Sequence, residues 1–384
     1  MSELNLGQKS MVIGRAVSEA GKFVGTEYLP SLRKSRENVE ARVGSVDHYK
    51  EYLNRSPHYR VELFMYDKLA RRLAIEANQG VGRLLNNNQS DQSLLMNAHI
   101  DFFYGWFAQD DYEDNSLFRG RQVAYHEMYG VENAKSVYTE ARDRLIDRSA
   151  KFGNGVLCRI EGVLASLSTE LEVETADKYH RIDLEGSHKP SAMIDHLAAK
   201  SRKMFEITYS ASESAAGEEI ERNVKNGLEK ATEGMWVAND CKELSQRGII
   251  KWAELKSGRI NIPMAWMLDK LSDEERQTMI FNIDYLWQRY LPTTDRSKSI
   301  DEKLEVLRDC EYDVNVMNGL RLIENKWWTS GTVRDMGIIV ANRLGSAVES
   351  SAQVTSSALS LYLGASMYHL GEKSLRLGLG RVWK

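Results

Sequence analysis

Histidines and carboxylates on either side of an acidic run are the first residues with chemistry to offer. His99 and Asp101 precede the run Gln109-Asp110-Asp111-Tyr112-Glu113-Asp114, and the pair His126-Glu127 follows it. A helical hairpin folded at the run would bring an imidazole near a carboxylate, an arrangement that polarises a water or a substrate hydroxyl. These four residues, His99, Asp101, His126 and Glu127, are the candidate catalytic set. The acidic run offers hard oxygen ligands for a cation but lacks the glycine and terminal glutamate of an EF-hand loop. No nucleophile motif and no carboxylate pair at a defined spacing accompanies them. The plainer expectation is a hairpin with a solvated tip.

His180, His188 and His196, with Asp183 and Asp195 nearby, form the candidate metal-ligating set. No two of these histidines are one helical turn apart, and Gly186 and Pro190 interrupt the segment. Shared coordination would need a loop folded on itself, so solvated histidines in a polar connector are expected, without a metal. Gly14 to Gly21-Lys22-Phe23 is too widely spaced for a P-loop, and no Ser or Thr follows the lysine. Phe152-Gly153-Asn154-Gly155 reads as a helix-entry turn. No cofactor is expected.

The elements that position these residues must be helices. Only five prolines, Pro30, Pro57, Pro190, Pro263 and Pro292, interrupt the chain. Between them apolar residues recur at three and four: Ile13, Val17, Ala20, Val24; then Leu32, Val39, Val43, Val46, Leu53; then Tyr59, Leu63, Tyr66, Ala70, Leu73, Ala77. The aromatic stretch Leu94 to Ala108 reads as a buried helix stopping at the acidic run. Val156, Ile160, Val163, Leu167 and Leu171 make a further stripe. Ser272-Asp273-Glu274-Glu275 and Ser299-Ile300-Asp301-Glu302 are capping boxes that should start helices. Strand signals are short, at Arg259 to Ile262 and at Tyr312, Val314, Val316, and the second also fits a helix.

The expected fold is therefore mainly α, a multi-helix bundle of two helical subdomains with little or no β structure. The expected boundaries are an N-terminal helical domain over 1–175, an irregular connector over 176–192, a central helical domain over 193–331 and a charge-poor C-terminal helical segment with a basic tail over 332–384. The tryptophans from Trp236 to Trp328 read as core anchors.

With 42% hydrophobic and 28% charged residues, the 384-residue chain is globular rather than disordered. A net charge of -4 leaves no global positive field for a phosphate backbone, so nucleic acid is not an expected partner. The basic clusters Arg33, Lys34, Arg36 and Lys200, Arg202, Lys203 read as solvated helix faces. Cys158, Cys241 and Cys310 lack CxxC spacing and suit a reducing compartment. The acid at Glu3 and the interruptions at Lys9, Arg15 and Glu19 do not match a Sec signal, which implies cytoplasmic synthesis, with specialised export or particle packaging still open.

From Ser350 to Gly371 there is no Lys, Arg, Asp or Glu. That length would span a bilayer, yet the serines and threonines within it are costly in hydrocarbon. Val354, Ala358, Leu361, Ala365 and Tyr368 share one face and form the candidate interaction surface. The leading functional expectation is a non-catalytic helical assembly or interaction protein, joined to a protein partner or a second copy. One alternative is a membrane-active effector whose C-terminal helices insert conditionally and touch anionic lipid. The other is an enzyme using the His99 to Glu127 region.

Overall fold

In the computed structural model, described residues are 6–23, 46–54, 69–74, 76, 91–119, 122–175, 190–241, 252–256, 260–353, 356, 358–360, 362, 363 and 366. Helices run over Leu6–Phe23 (α1), Val46–Asn54 (α2), Asp91–Glu113 (α3), Tyr125–Tyr129 (α4), Val131–Ala150 (α5), Asn154–Thr175 (α6), Pro190–Ala216 (α7) and Arg222–Asp240 (α8). They continue over Ala253–Lys256 (α9), Ile262–Lys270 (α10), Asp273–Tyr290 (α11), Ile300–Tyr312 (α12), Val314–Thr329 (α13) and Thr332–Gln353 (α14). The protein is mainly α, as the apolar periodicity implies. Among the described residues the only sheet is an antiparallel ribbon of Phe118–Arg119 (β1) and Gln122–Val123 (β2), paired Phe118 to Val123 and Arg119 to Gln122.

Two helix pairs carry the framework. In the first, α5 lays Ala134, Val137, Ala141 and Leu145, at spacings of three and four, against the aromatic helix α3. Gly105 makes the approach close enough: a Cβ there would stand 2.8 Å from Ala141 Cβ and 3.0 Å from Tyr138 Cα. In the second pair α8 packs along α14, and Gly227 leaves room for Leu359, whose Cδ2 would lie 2.7 Å from an added Cβ. Helix α7 touches α3, α6 and α8 and so joins the two pairs. A third apolar cluster draws on α9 to α13 and includes the rings of Trp252 and Trp327, 5.0 Å apart.

Both capping boxes are complete, with Ser272 and Glu275 starting α11 and Ser299 and Glu302 starting α12. Several local expectations differ. Tyr312, Val314 and Val316 end α12 and begin α13, and Ile262 begins α10, so among the described residues of the two alternating stretches, which leave out Arg259, there is no strand. Helix α1 turns Ala16 inward and leaves Ile13 and Val17 exposed, because burial follows the partner helix α14 rather than the most apolar stripe. Residues 176–189 of the expected connector lie outside the described residues, and Pro190 opens α7.

The described part of the charge-poor segment sits inside this chain. Ala358, Leu359 and Leu363 are fully buried, and Thr232 Oγ1 donates to Tyr362 OH at 2.7 Å. Glu76 accepts from Ala358 N at 2.9 Å and from Ser356 Oγ at 2.7 Å, capping this last helical stretch. Val354, Leu361, Ala365 and Tyr368 lie outside the described residues. No helix among the described residues is long and apolar enough to cross a membrane.

Glycine inside a helix is ordinarily worse than alanine by about 1 kcal/mol, so Gly162→Ala, where an added methyl meets nothing within 4 Å, should stabilise by up to that amount. Gly105→Ala should have the opposite sign and destabilise by about 1–3 kcal/mol, because it overpacks the contact of α3 with α5. Urea unfolding of the two variants checks this; a stabilised Gly105→Ala would contradict the packing described.

Candidate functional site

Helix α3 does not stop at Ala108 as its apolar run suggests but continues through the acids to Glu113. It ends because Asn115 takes a left-handed conformation, φ 51°, which turns the chain so that Asp114 N donates to Asp110 O at 2.8 Å and Ser116 N to Asp111 O at 2.9 Å. Asp110 and Asp111 therefore stand in the last turn, where the helix dipole is already negative. The ribbon then folds Arg119 back over the helix end. Its Nε donates to Asp111, its Nη2 donates to Phe107 O at 3.1 Å, and the guanidinium lies 4.7 Å from the Phe107 ring.

A second cation arrives from α7. Lys200 Nζ donates to Asp110 Oδ1 at 3.3 Å and stands 6.0 Å from the Trp106 ring of α3 and 5.5 Å from the Trp236 ring of α8. One ammonium thus reaches the last turn of α3 and the end of α8, so the C-terminal ends of two helices converge. Helix α8 finishes at Asn239-Asp240, and Asp240 Oδ2 accepts from Ile262 N at 3.2 Å. Burial pushes the Asp111 carboxyl above its ordinary range despite the opposing pull of Arg119. Two cations, two carboxylates and two helix ends make a charged site walled by aromatic rings.

The expected catalytic set is not brought together. His99 is buried on α3, with Nε2 2.9 Å from Thr208 Oγ1 and its ring edge-on to Phe103. Burial, with a smaller contribution from Arg71, pulls its pKa down to about 3, so the ring is neutral at ordinary pH and a poor base. Asp101 faces Lys50 and Arg144 instead. His126 is buried with its ring 5.9 Å from that of Tyr112 and Nε2 3.5 Å from Glu127 Oε1. Glu127 accepts from the buried Lys303 at 2.5 Å. Burial alone would raise the Glu127 carboxyl, but the nearby His126 ring and the hydrogen bond from Lys303 hold it below the usual range. His126 and Glu127 thus flank the aspartate turn, while Lys303 ties them to α12. Of the expected metal set, His180 and His188 lie outside the described residues, and so does the His196 side chain.

Lys200 and Arg119 were absent from the expected site. Lys200, read as solvated, is only 6% exposed. It belongs to the buried row Lys200, Met204, Ile207, Ala211, Ala215, whose spacing was the available signal. Arg119 had no such signal, because a two-residue ribbon places it.

Among the described residues no three His, Cys, Asp or Glu side chains converge as a ready-made metal cage. The donors at the end of α3 are nevertheless hard oxygens, which suits a small divalent cation that keeps its waters and takes one or two carboxylates plus phosphate oxygens. The residues present fit that mode.

Because folded His99 resists protonation down to about pH 3 whereas the unfolded imidazole titrates near 6.5, acid favours unfolding. Its contribution is complete above about pH 6.5 and declines by up to about 1.4 kcal/mol per pH unit as the pH falls. Urea unfolding at pH 7, 6 and 5 should show a steeper loss for the unaltered chain than for His99→Gln; parallel slopes would contradict the assignment.

No protein-family profile matches the chain, and no curated protein sequence matches it. Solved structures do. A geranylgeranyl pyrophosphate synthase from Lactobacillus brevis aligns with TM-score 0.59 at 12% identity, over 92% of this chain and 95% of that one. A decaprenyl diphosphate synthase from Rhodobacter capsulatus aligns with TM-score 0.56 at 12% identity, over 95% and 98%. A polyprenyl synthase from Caulobacter crescentus CB15, complexed with calcium and isoprenyl diphosphate, aligns with TM-score 0.52 at 15% identity, over 85% and 98%. The likeness shows the fold. It also corrects the functional expectations: these aligned structures are synthases, which points to an enzyme and away from both the non-catalytic assembly or interaction protein and the membrane-active effector. The physical source of the error is the acidic run, which is not a solvated hairpin tip but a partly buried, cation-paired helix end.

Proposed function

We propose that this protein is an enzyme of isoprenyl diphosphate metabolism that binds a diphosphate ester with a divalent cation and promotes cleavage of its carbon–oxygen bond. The observation that carries the reading is the meeting of Asp110 and Asp111 with Arg119 and Lys200 at two converging helix ends, on a fold shared with isoprenyl diphosphate synthases. A dianionic or trianionic leaving group needs cations, and carboxylates retain the divalent ion that accompanies it.

In this reading Asp110, which accepts from Lys200 at 3.3 Å, would be the carboxylate that holds the divalent cation accompanying the substrate. Lys200, at the same place, would donate to the diphosphate. Arg119, only 4.0 Å from Asp110 Oδ2 at its Nη2, adds a second positive charge on the same side. As the carbon–oxygen bond breaks, its electron pair stays on the ester oxygen, which leaves with the diphosphate, where these charges stabilise it. The rings of Trp106, Phe107 and Trp236, within 6.0 Å of the two cations, hold those charges at this place.

Incubation with Mg2+, farnesyl diphosphate and a five-carbon isoprenyl diphosphate should release inorganic diphosphate, and Asp110→Asn should lower the rate roughly 100-fold, the scale of losing one charge-stabilising contact. No diphosphate release with Mg2+ or Mn2+, or an unimpaired Asp110→Asn, would refute the proposal.

A further inference from the structure

The connector between α11 and α12, residues 291–299, is fastened to the aspartate turn although the two are far apart in sequence. Arg296 Nη1 donates to Tyr112 OH at 2.9 Å and Nη2 to Tyr112 O at 3.1 Å, while the guanidinium lies 4.3 Å from the Tyr112 ring. From the other side Asn115 Nδ2 donates to Thr294 O at 2.8 Å. Tyr112 stands between Asp111 and Glu113, so each bond is made to the acidic turn itself.

The connector is built to hold this shape. Leu291–Thr293 forms a single 3-10 turn, Asp295 Oδ1 accepts from Ser297 N at 2.9 Å and from Ser297 Oγ at 2.7 Å, and Ser299 closes the capping box of α12. Arg296 projects from a preorganised loop. Its target, the Tyr112 carbonyl, is one of the last four of α3 and accepts as well from Asn115 N at 3.1 Å, just past the helix end. Clamping that carbonyl and the ring fixes the pitch of the final turn, and with it the relative directions of Asp110 and Asp114. Lys135 Nζ, 5.4 Å from the Tyr112 ring, adds a second cation against the same ring.

Resting on the function proposed above, we infer that Arg296 is a positioning residue: it does not touch the substrate but, through Tyr112, holds the carboxylates of the α3 terminus in the geometry that captures a divalent cation with diphosphate. Arg296 is exposed, so removing it leaves no buried group unpaired and its own charge is screened at the site. The two-pronged bond to one residue, rather than the charge, carries the effect.

Titration of the full chain with Mn2+ and inorganic diphosphate, read by electron paramagnetic resonance, tests this. Arg296→Ala should weaken capture of Mn2+ with diphosphate about tenfold while the melting temperature stays within a few degrees. Arg296→Lys, which keeps the charge but not the fork, should recover only part of the loss. Unchanged capture by Arg296→Ala, full recovery by Arg296→Lys, or a tenfold loss accompanied by a large fall in melting temperature would each overturn the inference. Failure of the unaltered chain to capture Mn2+ with diphosphate would instead overturn the function on which it rests.

Discussion

Two carboxylates stand where an α-helix least favours them. Asp110 and Asp111 occupy the last turn of α3, whose unsatisfied carbonyls already give it roughly half a negative charge, and one of the two is almost fully buried. Left alone, two like charges at this end of the helix would fray the turn. Arg119 and Lys200 prevent this, each arriving from a different element and each resting against aromatic rings. A local arrangement that works against helix stability and is corrected only by tertiary contacts is the kind of feature that folds retain at functional sites.

The rest of the molecule exists, in physical terms, to bring those cations to those acids. Gly105 lets α3 and α5 approach closely, which sets the line of α3 from its buried His99 to its charged end. The apolar row of α7 holds Lys200 at the depth of Asp110. Helix α8, pressed on α14 through Gly227 and Gly234, brings Trp236 to the same ammonium. The left-handed Asn115 reverses the chain into the ribbon that carries Arg119. Each of these is a backbone or packing constraint, and each ends on a charge.

Much of the frame was legible in the residue order. Apolar spacing and the scarcity of proline implied a helical protein, and Ser272 with Glu275 and Ser299 with Glu302 marked two helix starts by chemistry that is entirely local. The site was less legible because its determinants are not local. Asp110 and Asp111 look solvated in a sequence, since an acidic run after an apolar helix is usually a turn, and only the arrival of Lys200 and Arg119 from other elements pairs them, with Asp111 buried. The histidines misled for the complementary reason: His99 is spaced like a core residue and is one, bonded to Thr208 and held neutral. The charge-poor stretch after Ser350 suggested assembly or membrane contact, whereas the capping of Ala358 by Glu76 and the bond of Tyr362 to Thr232 turn its described part into core.

In the proposed function the end of α3 is where a divalent cation and a diphosphate meet. The most direct measurement is anomalous diffraction from crystals grown with Mn2+ and an isoprenyl diphosphate. A manganese peak about 2.1 Å from a carboxylate oxygen of Asp110, with Lys200 moved from that carboxylate to the diphosphate, is the result expected. A diphosphate bound away from α3, or manganese bound with Lys200 still on Asp110, would contradict it.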